Sequence, residues 1–221
     1  MPYAAVVFDL DGTLLDTLAD IAAAGNEVLA AIGVPTYSVE EFGTLVGAGV
    51  ANLFTRALPA EKQAEEIIAD CIARFRKAYE HHWNVDTRVY DGIRPLLDVL
   101  VQRDLKLSVL SNKPDVFTRK CVTEYLGDYP FDPVFGQREG VPRKPDPASA
   151  AEITSYLGVT PQDVLYVGDT GIDMQTARNA GMFAVGATWG YRSREELVDN
   201  GADVLIDRPS ELLKLLNSTK H

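Results

Sequence analysis

Val6-Val7-Phe8-Asp9-Leu10-Asp11-Gly12-Thr13 is the stretch on which the fold turns. A short β-rich apolar run delivers two aspartates separated by one apolar residue, and a glycine then frees the backbone to turn. Alternate residues of a regular strand share a face, so this reading puts the carboxylates of Asp9 and Asp11 on one side, near an open crevice. In isolation the same residues make an ordinary turn with solvated carboxylates, because Asp and Gly are common turn formers. What the later chain brings beside them decides between the two.

Outward from this stretch, residues 17–86 carry helical signals only. Leu18, Ile21, Ala22, Gly25, Val28, Leu29 and Ile32 recur at helical spacing up to Gly33. Ser38 and Glu41 have capping-box spacing ahead of Phe42, Leu45 and Val46. Gly47-Ala48-Gly49 breaks that stripe, a second short one follows, and Ala64, Ile68, Cys71, Ile72, Phe75 and Tyr79 trace a longer helix toward His81-His82. From residue 87 the rhythm alternates. Strand-like runs at 105–110, 133–135, 164–167, 183–187 and 204–206 are separated by helical stripes. Asp146-Pro147 reads as a cap followed by a proline at the first helical position. Strands alternating with helices imply a mainly parallel, Rossmann-like α/β sheet. The expected organisation is therefore a core of residues 1–16 and 87–221 with a helical insertion of residues 17–86.

Composition narrows the class. The 221 residues, 46% hydrophobic and 24% charged, suit a globular chain. No apolar run approaches the roughly 20 residues that a bilayer span needs, and no secretory signal is expected. Cys71 and Cys121 both fall on apolar helical positions and read as buried free thiols of a reducing, cytoplasmic compartment. A net charge of -11 argues against nucleic acid as a partner. An anionic substrate on such a surface needs a local cation to receive it.

In open parallel sheets ligands bind outside the carboxyl ends of the strands. Strand one ends in Asp9-Leu10-Asp11, another in Ser111-Asn112 and another in Gly168-Asp169 with Asp173 in the next turn; Arg143-Lys144 precedes a helix start. One crevice would collect four carboxylates, a hydroxyl, an amide and a cation. Packed carboxylates repel unless a cation compensates them, and oxygen ligands without a Cys or His cluster favour Mg²⁺ over Zn²⁺. Ser111, by hydrogen bonding, and Lys144, by charge, then suit the oxygens of a phosphoryl group.

The order Asp9-Leu10-Asp11-Gly12-Thr13, Ser111-Asn112, Lys144-Pro145-Asp146-Pro147 and Gly168-Asp169-Thr170-Gly171-Ile172-Asp173 resembles the four motifs of the haloacid dehalogenase superfamily of phosphotransferases. Leu45-Val46-Gly47-Ala48-Gly49 and Trp189-Gly190-Tyr191-Arg192-Ser193 look most like the phosphoglycolate phosphatases within it. The resemblance implies a nucleophile at Asp9, forming an aspartyl-phosphate, and a general acid and base at Asp11. It implies phosphate binding by Ser111, Asn112 and Lys144, and Mg²⁺ held by the Asp9 carboxylate, the Asp11 main-chain carbonyl and Asp169. Thr13 and Asp173 would support the site, Asp173 through water or by orienting Lys144. The insertion would act as a cap, with Gly47, Gly49 and Arg56 as specificity candidates; Arg56 suits a substrate carboxylate or, more ordinarily, a surface salt bridge.

The expected activity is hydrolysis of a small phosphorylated metabolite, 2-phosphoglycolate first. Pyrophosphate, a nucleotide or a sugar phosphate are alternatives by the same chemistry, and a signalling switch that holds an aspartyl-phosphate is an alternative from another class. Both monomer and dimer fit the sequence.

Overall fold

The computed structural model describes residues 3–217. In chain order its elements are β1 (Ala5–Phe8), β2 (Leu15–Asp16), α1 (Leu18–Ala31), α2 (Val39–Leu45), α3 (Val50–Ala57), α4 (Glu65–His82), β3 (Arg88–Val89), α5 (Ile93–Gln102), β4 (Lys106–Pro114), α6 (Asp115–Leu126), β5 (Phe131–Gln137), α7 (Ala148–Leu157), β6 (Val164–Gly168), α8 (Gly171–Asn179), β7 (Phe183–Ala187), α9 (Arg194–Asp199), β8 (Val204–Ile206) and α10 (Leu212–Asn217). The chain forms two compact units, one made by the chain up to Leu15 and from Val89 onward, the other by Asp16–Arg88.

The first unit is a Rossmann-like α/β core. Its sheet has the order β5-β4-β1-β6-β7-β8, and every pairing is parallel. The sequences Ala-Val-Val-Phe of β1 and Val-Leu-Tyr-Val-Gly of β6 are buried throughout, which is why they are unbroken apolar runs: helices cover both faces. Val7, Tyr166, Ile153, Ala150 and Met174 pack together in the core between β1, β6, α7 and α8. In register, Phe8 lies opposite Val109 of β4 and Val167 of β6. The residues that follow these three positions therefore emerge side by side. Strand order also reverses at β1, with β4 on one side and β6 on the other. Ligands of open α/β sheets bind at such a reversal.

The second unit is helical from α1 to α4. Ser38 and Glu41 form a complete capping box at the start of α2. Gly25 of α1 lies against Phe42 so closely that a Cβ would stand 2.2 Å from the ring, so a side chain there is excluded by packing. Phe54 of α3 meets Phe75 of α4 edge-on, and Phe75 stacks on Tyr79. The buried Asp20 carboxylate accepts hydrogen bonds from the N–H groups of Val85, Asp86 and Thr87 and from the Thr87 hydroxyl, fixing the end of the insertion to its first helix. Cys71 and Cys121 are buried and outside any disulfide among the described residues. No helix among the described residues is long and apolar enough to cross a membrane.

Three local expectations need correction. Asp9 and Asp11 lie beyond β1, in a coil, so strand alternation does not govern their directions. β4 continues to Pro114, which places Ser111 and Asn112 inside the strand. Pro147 is the N-cap of α7, one position earlier than expected, while the Asp146 carboxylate accepts from the Ala148 N–H at 2.9 Å. The short helix α9 carries too little periodicity to be read from sequence.

Candidate active site

Asp9 is still held by the sheet, since its N–H donates to the Val167 carbonyl at 2.9 Å. The chain coils at once: the Leu10 carbonyl accepts from the N–H groups of Thr13, Leu14 and Leu15. This coil requires Gly12. Its φ is +85°, and a Cβ there would lie 2.3 Å from Oδ2 of Asp169. The Oδ1 atom of Asp9 accepts from the Leu10 N–H at 2.7 Å and lies 3.0 Å from Nζ of Lys144. No described residue donates to its Oδ2.

Lys144 is buried behind that carboxylate. Its ammonium donates to Oδ1 of Asp173 at 2.7 Å and to the Leu110 carbonyl at 2.9 Å, and pairs by charge with Asp9. What it offers the crevice is charge. The side chain of Asn112 clamps the Lys144 main chain from both sides, accepting from its N–H at 3.0 Å and donating to its carbonyl at 3.2 Å. Asn112 thus positions the lysine. Asp173 is fully engaged: Oδ1 meets Lys144 and the Tyr166 hydroxyl, and Oδ2 accepts from the N–H and hydroxyl of Thr170 in the capping box that starts α8.

Asp169 follows β6 directly. Its Oδ1 accepts from the Thr13 hydroxyl at 2.8 Å and its Oδ2 from the Tyr191 N–H at 2.9 Å. A carboxylate oxygen has two acceptor positions, so each keeps one for a further partner. The Asp11 carboxylate turns to Lys113, 2.9 Å from its Oδ1. The Ser111 hydroxyl accepts from the Lys113 N–H at 3.3 Å, and its own proton is given to no described residue.

Asp9, Asp169 and Asp173 each place a carboxylate oxygen within 4.8 Å of the others, and all three are buried. Burial first, then repulsion by Asp173, pushes the Asp9 carboxyl up to about 7 although Lys144 opposes the shift. Burial, then Asp173 and Asp9, holds Asp169 well above the usual carboxylate range. Burial disfavours the charge of Lys144, but Asp173 and Asp9 together outweigh it and hold its ammonium well above the ordinary lysine range. One ammonium among three buried carboxylates leaves negative charge uncompensated, and the donors are all oxygen. Such a set fits a hard divalent cation of the Mg²⁺ type.

The remaining sequence candidates lie in the helical unit. Gly47 and Gly49 have φ of +114° and +84°, and Gly49 is the N-cap of α3. Arg56 is exposed on α3 and donates to the Thr44 carbonyl at 3.3 Å. Its expected surface salt bridge is corrected accordingly: among the described residues a carbonyl at the end of α2 takes the place of a carboxylate.

Sequence reasoning missed Lys113, Tyr166 and the main chain at Tyr191. Lys113 follows Ser111-Asn112 directly, and reading β4 through to Pro114 would have brought it in.

The family described as Haloacid dehalogenase-like hydrolase matches residues 6–187. A phosphoglycolate phosphatase from Nitrosospira multiformis is 31% identical over 223 residues, covering 99% of this chain and 98% of the relative. An N-acetylmuramic acid 6-phosphate phosphatase from Pseudomonas aeruginosa is 33% identical over 215 residues, covering 96% of this chain and 94% of the relative. A crystal structure from Lactobacillus delbrueckii subsp. bulgaricus, described provisionally as a phosphoglycolate phosphatase, superposes with a TM-score of 0.91 at 32% identity, covering 98% of this chain and 99% of the other. With its four motifs gathered at the reversal point of a parallel sheet, the chain belongs to the haloacid dehalogenase-like hydrolases.

Proposed function

We propose that this chain is a magnesium-dependent phosphomonoesterase that converts 2-phosphoglycolate to glycolate and phosphate through an aspartyl-phosphate on Asp9. One observation carries the reading: Oδ1 of Asp9 is tied to the Leu10 N–H and to Lys144, while Oδ2 has no described donor. An oriented carboxylate with one open oxygen suits attack on phosphorus, Oδ2 forming the new P–O bond as the bond to the leaving alkoxide breaks. Asp11 gives that alkoxide a proton and later takes one from the water that hydrolyses the intermediate. Ser111 donates its free hydroxyl proton to a phosphoryl oxygen, and Lys144 supplies positive charge behind the nucleophile. The Asp9 carboxylate, the Asp11 main-chain carbonyl and Asp169 would hold Mg²⁺, which neutralises phosphoryl charge when bound. Asp173 keeps Lys144 in place.

The relatives' names support a substrate that carries both a phosphate and a carboxylic acid. A second reading, N-acetylmuramic acid 6-phosphate, is favoured by a relative of equal identity. In our reading the insertion supplies this choice as a cap, with Gly47, Gly49 and Arg56 as the candidate groups, and the thiols Cys71 and Cys121, outside any disulfide, suit a reducing cytoplasm. The test is a panel of 2-phosphoglycolate, N-acetylmuramic acid 6-phosphate, pyrophosphate, a nucleotide and a simple sugar phosphate, assayed with and without Mg²⁺. The highest kcat/KM is expected for 2-phosphoglycolate, lost on chelation. Equal rates across the panel would contradict the assignment.

A further inference from the structure

We infer that Trp189-Gly190-Tyr191 is a positioning clasp for Asp169, which holds this carboxylate in one orientation and thereby sets the affinity of the site for a divalent cation. The inference rests on the reading of Asp169 as a metal ligand.

Two hydrogen bonds reach the one side chain, and a third holds the residue that makes one of them. The Tyr191 N–H donates to Oδ2 of Asp169 at 2.9 Å. The Trp189 indole N–H donates to the Thr13 carbonyl at 3.0 Å, and the Thr13 hydroxyl donates to Oδ1 of Asp169 at 2.8 Å. The same segment therefore reaches both oxygens, one directly and one through Thr13. Between these two contacts, Gly190 lies flat against the aspartate: a Cβ there would stand 2.2 Å from Cβ and 2.5 Å from Cγ of Asp169. Gly190 is not among the glycines with positive φ, so closeness rather than an unusual turn explains the glycine.

The clasp is anchored at both ends. Thr188, before it, donates its N–H to the Ile206 carbonyl at 3.1 Å and its hydroxyl to Asp207 at 2.6 Å. Ser193, after it, caps α9 by accepting from the Glu196 N–H. A segment fixed in this way resists displacement, so the aspartate it touches cannot rotate freely. Groups that orient a metal ligand are worth roughly 10–100-fold in metal affinity.

The experiment titrates Mg²⁺ into the full-length protein by calorimetry, with circular dichroism melts of the metal-free forms, for the parent, Trp189→Phe, Gly190→Ala and Asp169→Asn. Trp189→Phe keeps an aromatic ring and removes the indole N–H together with part of the ring's volume, so its melt is read beside its affinity, and it decides the question if Gly190→Ala does not fold. Mg²⁺ affinity is expected to fall about tenfold in Trp189→Phe and by up to about 100-fold in folded Gly190→Ala. Trp189→Phe retaining parental affinity overturns the clasp, provided Asp169→Asn loses binding. If Asp169→Asn itself binds Mg²⁺ like the parent, the metal-ligand reading fails first, and the clasp with it.

Discussion

The ammonium of Lys113 lies 2.9 Å from Oδ1 and 3.2 Å from Oδ2 of Asp11. The lysine side chain is 4% exposed and the aspartate 13%, so the pair is largely shut off from water and its geometry is fixed by burial. Removing one member of such a pair deprives the other of a buried ionic partner. Lys113→Met is expected to lower kcat on an alkyl phosphate by about 10–100-fold, within the range that positioned acid–base groups contribute. The loss should be smaller on p-nitrophenyl phosphate, whose leaving group departs without a proton. Steady-state kinetics on both substrates check this, and equal losses would detach Lys113 from proton transfer.

Asp173 joins three elements through two oxygens: Lys144, the Tyr166 hydroxyl and the Thr170 cap of α8. Asp173→Asn keeps the shape and removes one of the two anions facing Lys144. We expect a stability loss on the order of 3 kcal/mol, as for other broken buried pairs, measured by urea unfolding. A change inside ±0.5 kcal/mol, usual for surface substitutions, would mean that Asp9 alone suffices to compensate the lysine.

The acidic group gives the metal-free protein a definite pH dependence. The folded-state Asp9 carboxyl titrates near about 7, above its ordinary value of 3.8. Folding therefore favours its protonated form, and this stability is present below about 4 and lost as pH rises through about 7. Asp169, also raised, adds a contribution of the same sign. A cation bound to the folded state relieves the repulsion and stabilises it by mass action. The gap between melting temperatures in Mg²⁺ and in chelator should widen as pH rises from about 4 to about 7. A gap that narrowed over that range would contradict this reading of the acidic group.

Much of the core was legible because buried parallel strands are continuous apolar runs. Val6 to Phe8 and Val164 to Val167 announce themselves, and Gly12 and Gly168-Asp169 mark where those strands release the chain. The aspartates' directions were not legible. They depend on a coil organised by the Leu10 carbonyl, and no periodicity encodes that. Lys113 escaped notice for a related reason: a lysine beside Ser-Asn reads as the solvated end of a strand, whereas β4 runs on to Pro114 and Lys113 is buried. Asn112 was read as a phosphate ligand; that its side-chain amide also holds the Lys144 main chain, 32 residues away in sequence, had no signal. The segment Trp189 to Ser193 stood out only by resemblance; its contact with Asp169 spans 22 residues and uses a main-chain donor, which any residue type supplies.

The central claim is that Asp9 carries the phosphoryl group. Its most direct test is mass spectrometry of protein acid-quenched during turnover with Mg²⁺, the parent on 2-phosphoglycolate and Asp11→Asn on p-nitrophenyl phosphate, whose leaving group needs no acid, because loss of the base should then slow only hydrolysis of the intermediate. The expected result is one phosphoryl adduct on the peptide containing Asp9, stronger in Asp11→Asn and absent in Asp9→Asn, which also loses turnover. An adduct on another residue, or full Mg²⁺-dependent turnover by Asp9→Asn, would contradict the account.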